Sequence, residues 1–343
     1  MPPFRLGLIG AGRMGRTHLR ALAGSELVAV TAIAEMSAAA RGAVSAPAVA
    51  APGATLHASV AEMLAAAALD GVLIAAPTDQ HGAIIAEVAA HGLPVLCEKP
   101  CGLTAAAARA SARTAAAADV PLQVAYWRRF VPGLRRLHDR IAAGEFGTIH
   151  LVSCYQWDEQ PPPAAFRAHS GGIAIDMGVH EFDQLRWLTG QDIGTLTAVT
   201  SGRAPGGIAD VDGAQVIAAL SGGGCGFISL GRYHPAGDAV WAEVFGTGGS
   251  ERCDVIDPAE GGRAQLEALR RQAESFAEFA AGAPCAGATA EDAIAALTAA
   301  EQVTAAISAP SGRGSGKQAP SGAGQSRNVS DSLPPTYRHR PGG

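Results

Sequence analysis

FRLGLIGAGRMG, residues 4–15, decides the fold. A short apolar run (Leu6, Leu8, Ile9) ends at Gly10, and Gly10, Gly12 and Gly15 then stand at G-x-G-x-x-G spacing before RTHLRALAG. The order predicts a strand, a tight turn and a helix. In such a unit the first glycine permits the turn, the second lets a pyrophosphate approach the backbone, and the third lets helix and strand pack closely. Phosphate would lie against the free N–H groups of the helix N-terminus, which makes Gly10, Ala11, Gly12, Arg13, Met14 and Gly15 candidate cofactor-binding residues. A second apolar run, LVAVTAIA, ends in Glu35, twenty residues past Gly15. A carboxylate there can accept hydrogen bonds from an adenosine ribose, and its charge repels a 2′-phosphate, so NAD is expected rather than NADP.

At 343 residues the chain suits two domains, and 48% hydrophobic against 17% charged residues predicts a soluble body with a large core. The alanine-rich runs are broken by charges, so no membrane span is expected, and MPPFRLGLIG leaves no room for a signal peptide. Cys97, Cys101, Cys154, Cys225, Cys253 and Cys285 have no C-x-x-C spacing. Neither a disulfide framework nor a zinc ribbon follows, and a cytoplasmic setting does. A net charge of −5 gives no basic footprint for nucleic acid. His180-Glu181 opens like H-E-x-x-H, but Gln184 stands where the second histidine would be, so no metal site is expected.

From Met1 to Val124, apolar runs at 6–9, 27–34, 71–76, 94–97 and 122–125 alternate with helical stretches. This is the pattern of a doubly wound parallel sheet, whose ligands lie beyond the carboxyl ends of the strands. Thr78 and His81 follow the third run, Glu98, Lys99 and Pro100 the fourth, and Trp127 and Arg128 the fifth. After residue 130 come a helix, a strand to Trp157, a loop at Pro161–Pro163, a helix near 172–188, strands near 193–200, 211–220, 225–233 and 240–246, and two helices near 264–282 and 290–307. The expected fold class is α/β: an N-terminal Rossmann domain (1–124) followed by an α+β domain (125–309) with an open, largely antiparallel sheet. Residues 310–343, rich in Pro, Gly, Ser and Arg, read as a disordered tail.

Two features carry chemistry. Of 26 basic residues only Lys99 and Lys317 are lysine, and an amine can give up a proton where a guanidinium effectively cannot. Lys317 lies in the tail; Lys99 ends a strand. In SGGIAIDMGVHEFDQLRWLTG, Asp176, His180 and Asp183 stand at i, i+4 and i+7 and would form one polar stripe. An imidazole beside a carboxylate can take a proton near neutral pH. The spacing equally fits a surface helix with an intrahelical Asp/His pair.

GAGRMGRTH, CEKPCGL and the SGG…Asp176…His180 helix together resemble the Gfo/Idh/MocA oxidoreductases, in order from about residue 4 to 308. The loop Asp158–Pro163 resembles that of bacterial inositol 2-dehydrogenases. Those enzymes usually carry Arg-Asp-Pro where this chain has Trp157-Asp158-Glu159, and Asn-Arg-Arg-Phe-Asp-Pro where it has Trp127–Pro132. The resemblance places both segments on substrate-facing loops. It implies NAD-dependent oxidation of a cyclitol or sugar alcohol, with Lys99, Asp176 and His180 catalytic. Lys99 would meet the reacting oxygen, His180 would remove the hydroxyl proton, and Asp176 would orient the imidazole. Lys99 would also meet the nicotinamide ribose, Glu98 would help hold the cofactor, and Asp158 would face the substrate. Thr78 and His81 fit either cofactor contacts or a cap or turn at the strand end, and Trp127 and Arg128 either nicotinamide or substrate contacts or packing between the domains. The resemblance further implies a cis Lys99-Pro100 bond and a homodimer or homotetramer paired through the open sheet. Two rivals share the motifs: a glycosidase using NAD in a transient oxidation, and a non-catalytic NAD-binding sensor.

Overall fold

A computed structural model describes residues 2–44, 53–208, 210–260 and 262–308; the tail predicted for 310–343 lies outside them. The first sheet contains β1 (Phe4–Ile9), β2 (Val28–Ala34), β3 (Thr55–His57), β4 (Gly71–Ile74), β5 (Val95–Cys97) and β6 (Leu122–Val124). Helices α1 (Arg13–Leu22), α2 (Ala38–Val44), α3 (Val60–Ala66), α4 (His81–Ala89) and α5 (Ala105–Ala117) connect these strands. The strands lie in the order β3-β2-β1-β4-β5-β6, all parallel. Their centre is apolar on both faces, with Leu6, Leu8, Leu73, Ile74 and Leu96 fully buried, as continuous apolar strands between two helical layers require.

The glycine spacing does what its steric logic demands. Gly10 has φ +92°, and a Cβ on Gly15 would come within 2.0 Å of the Gly10 carbonyl oxygen, so helix and turn touch backbone to backbone. Local signals set other boundaries. Ser59 caps α3 by accepting from Glu62 N at 3.1 Å, and the Glu62 carboxylate reaches back to accept from Ala58 N at 2.8 Å, one residue before the cap.

The second half comprises α6 (Pro132–Ala142), β7 (Ile149–Trp157), α7 (Ala164–Arg167), α8 (Val179–Thr189), β8 (Ile193–Ser201), β9 (Gly213–Leu220), β10 (Cys225–Gly231), β11 (Ala239–Gly246), β12 (Gly249–Ile256), α9 (Arg263–Ala280), β13 (Ala288–Thr289) and α10 (Ala290–Ser308). Its sheet runs β12-β11-β7-β10-β9-β8, antiparallel except where β7 and β10 lie parallel. Helices α6, α8 and α10 pack on this sheet. Its open side carries Tyr155 stacked on Trp241 at 4.4 Å, with Ile217 and Phe245 exposed.

Sequence reading missed β3, β12 and β13, which are short or interrupted by charge. Nor does the chain part cleanly after residue 124: β13 returns from the far end to pair antiparallel with β6. Among the described residues no helix is long and apolar enough to cross a membrane. Gly15→Ala should destabilise the protein by about 3 kcal/mol, since the clash is with backbone that cannot step aside; denaturant titration checks this.

Candidate active site

The site begins at the carboxyl edge of the first sheet. At the N-terminus of α1 no side chain caps the first turn, and a Cβ at Gly12 would meet nothing within 4 Å. Free N–H groups beside open space form a cradle for an anion. Glu35 closes one end, its carboxylate accepting from Ala11 N at 2.7 Å and Ser37 N at 2.8 Å. The residues present therefore fit a dinucleotide.

The next strand end carries Glu98 and Lys99, followed by a cis bond to Pro100. Glu98 is buried, and its carboxylate meets His18 Nε2 at 2.6 Å and Lys99 N at 3.1 Å. Burial alone would raise this carboxyl; the hydrogen bond and charge of His18, helped by Lys99, hold it below its ordinary value. Lys99 Nζ reaches across to the second half of the chain and donates to the Asp176 carbonyl oxygen at 2.8 Å.

That carbonyl belongs to a π-helical turn, Ala174–Gly178, which runs directly into α8. Such turns insert a residue into the α spacing, so the predicted stripe of Asp176, His180 and Asp183 does not form. Asp183 is buried and held by Arg129, whose Nε and Nη2 donate at 3.0 and 2.5 Å. The expected Asp176–His180 hydrogen bond is also absent: the Asp176 carboxylate takes Arg232 Nη1 at 3.2 Å. His180 is 7% exposed, packs edge-on against Tyr126, and leaves Nδ1 without a hydrogen-bond partner. Burial, with the charges of Lys99 and Arg128 nearby, drives its pKa well below the ordinary histidine range. A neutral imidazole beside an ammonium is able to accept a proton.

Arg232 was not legible in the sequence. It is completely buried and lies between Asp176 and Asp210, the latter at 3.3 Å. Asp210 also binds Arg167 Nε at 2.6 Å and the backbone N of Ile173, just before the π turn. This cluster supports Asp176 from behind.

Other expected residues have different work. His81 is buried, with Nδ1 3.0 Å from the Pro100 oxygen and Nε2 2.9 Å from that of Ala76, so both ring nitrogens support the turn around Lys99-Pro100. Thr78, half-buried in a short 3₁₀ turn, stays at the strand edge. Arg128 meets Glu181 and, at 2.7 Å, Gln156 Oε1, a buried strut of the packing kind that its strand-end position also allowed. Trp127 is buried beside it. Gln156 Nε2 continues the chain to Asp158 at 3.1 Å. Asp158 is half-buried, and burial, with Asp238 and Asp176 near, raises its carboxyl above the ordinary value despite Gln156 and Arg232. Trp157, expected on a substrate-facing loop, lies instead over Gly231 and donates to Ser229 Oγ at 3.0 Å, because alternation along β7 puts it on the other face from Gln156. A groove of about 480 Å³ lined by Arg109, Arg186, Glu291 and Gln302 contains none of these residues.

Two family models match the chain: an oxidoreductase family with an NAD-binding Rossmann fold over residues 4–126, and a GFO/IDH/MocA C-terminal domain over 134–252. The rhizopine catabolism protein MocA of Rhizobium meliloti is 49% identical over 300 residues, 87% of this chain and 93% of that protein. The chain belongs to the GFO/IDH/MocA family. An inositol 2-dehydrogenase of Rhizobium meliloti is 32% identical, covering 72% of this chain and 74% of its own. A crystal structure of a myo-inositol dehydrogenase from Corynebacterium glutamicum superposes with a TM-score of 0.79 at 27% identity, covering 89% and 96%. The chain is accordingly an oxidoreductase of the CH–OH-oxidising type with NAD as cofactor, and the cradle above agrees with that membership.

Removing one member of a buried ionic cluster strands the others. Arg232→Met should therefore cost about 3–5 kcal/mol of stability, measured by urea denaturation, and lower turnover beyond what stability alone explains.

Proposed function

We propose that this protein oxidises a secondary alcohol of a cyclitol, myo-inositol being the first compound to try, with Lys99 and His180 handling the hydroxyl group. One observation carries the reading: the Lys99 ammonium, bonded to the Asp176 carbonyl oxygen at 2.8 Å, lies near enough to the buried His180 for its charge to help keep that imidazole neutral. The cofactor would be held by Gly10–Gly15, Glu35 and the Glu98 segment. NAD supplies the hydride acceptor when bound. Lys99 would donate a hydrogen bond to the substrate oxygen and stabilise negative charge as it develops there. His180 would take the hydroxyl proton on Nε2, since Nδ1 is enclosed without a partner. Asp176 would receive substrate hydroxyls while Arg232 holds it in place, and Asp158 would do so from the neighbouring loop.

The choice of a cyclitol leans on the inositol dehydrogenases among the relatives. A glycosidase using transient oxidation would release sugar with no net NADH, and a sensor would have no use for a proton acceptor beside an ammonium. We further infer a homodimer or homotetramer paired through the open face of the second sheet, where Ile217 and Phe245 are exposed, and a reducing cytoplasmic setting consistent with six free thiols.

Absorbance at 340 nm should rise when the protein is given NAD⁺ and myo-inositol or a related cyclitol, and no cyclitol-dependent rise would remove the reading. Lys99→Arg should lower kcat by about 10² or more, because a broad guanidinium does not reproduce a compact ammonium. A histidine whose native pKa is depressed stays neutral, and so competent as a base, to lower pH. The acid limb of kcat/KM should therefore fall below about pH 6.5, and a limb at or above that value would contradict His180 as the base.

A further inference from the structure

We propose that His18 is a positioning residue for the hydride-transfer site: from the helix that cradles the cofactor it fixes Glu98, and through Glu98 the turn that presents Lys99. The proposal rests on the dehydrogenase reading above. His18 lies on the inward face of α1, 1% exposed, and its Nε2 meets Glu98 Oε1 at 2.6 Å. The other carboxylate oxygen, Oε2, accepts the Lys99 backbone N–H at 3.1 Å. Each oxygen thus serves a different element, one holding α1 and one holding the first residue of the turn. From the opposite side His81, on α4, sits 3.0 Å from the Pro100 oxygen. The segment Glu98–Pro100 is clamped between two buried imidazoles: that of His18 grips the Glu98 carboxylate, and that of His81 meets the Pro100 carbonyl and, at 3.4 Å, Cys97 Sγ. The ionisable groups facing Glu98 are His18 from α1 and Lys99 and Cys97 from its own segment. Without His18, burial would act on this carboxyl with less opposition. A carboxyl that took up a proton would accept less strongly from the Lys99 N–H, and the turn would lose its definition while the fold remained.

The test is a pair of double-mutant cycles, with His18→Gln and His18→Asn each combined with Glu98→Gln. NAD⁺ affinity is read by calorimetry and kcat by NADH formation. A glutamine amide can donate from near the Nε2 position, whereas an asparagine amide lies near Nδ1 and falls short of Glu98. The account expects H18Q to stay within about threefold of wild type, H18N to weaken NAD⁺ about fivefold and lower kcat about tenfold, and H18N/E98Q to be no worse than E98Q alone. Equal behaviour of H18Q and H18N, or losses that multiply in the double variant, would overturn it, since a side chain that only fills space would act independently of Glu98. Circular dichroism and thermal midpoints show which variants fold. If wild type oxidised no cyclitol the dehydrogenase reading would fall by itself, and the NAD⁺ cycle would still decide whether His18 acts through Glu98.

Discussion

A single hydrogen bond, from Lys99 Nζ to the carbonyl oxygen of Asp176, joins the two halves of this molecule at the point where chemistry is possible. Its donor hangs from a strand end of the parallel sheet, and its acceptor from a π turn on the antiparallel one. Neither half has a site alone. The first offers a phosphate cradle and an ammonium; the second offers an imidazole kept neutral by burial and by two nearby cations. The rest of the architecture holds these groups at fixed separation, and buried arginines carry much of that task. Arg129 ties the turn after β6 to α8 and α10, and Arg128 ties it to Glu181 and Gln156.

The same bond explains the division of labour within the π turn. The main chain of Asp176 receives Lys99, while its side chain faces Arg232. A straight α-helix would have placed Asp176 one turn below His180, with the carboxylate free to reach the ring. The π turn instead gives each residue its own partner. His180 then owes its neutral state to burial and to its neighbours, and no paired acid raises its pKa.

How much of this could be read from the amino acids follows from what each feature depends on. The Rossmann half was legible because its signals are local: glycines that no other residue can replace, and strands apolar on both faces. Lys99 stood out by rarity, in a chain that uses arginine nearly everywhere else. The open sheet was legible in outline, though not β12, whose exposed charges Arg252 and Asp254 hide a strand on the sheet edge. The roles of Asp176 and Asp183 were misread because α spacing was assumed across residues 174–178, whereas Arg128 stands at a strand end and nothing local announces the buried Glu181 that it meets. Arg232 and His18 gave no usable signal. One is an arginine among many and the other follows a glycine motif, and only tertiary packing shows that they hold the Asp176 and Glu98 carboxylates.

The most direct test of the central claim is a crystal structure of the complex with NAD⁺ and a cyclitol. The account predicts one ring hydroxyl within about 2.6–3.2 Å of both Lys99 Nζ and His180 Nε2, with the Asp176 carboxylate still on Arg232. A cyclitol bound elsewhere, or a His180 ring turned away from the hydroxyl that Lys99 holds, would contradict it.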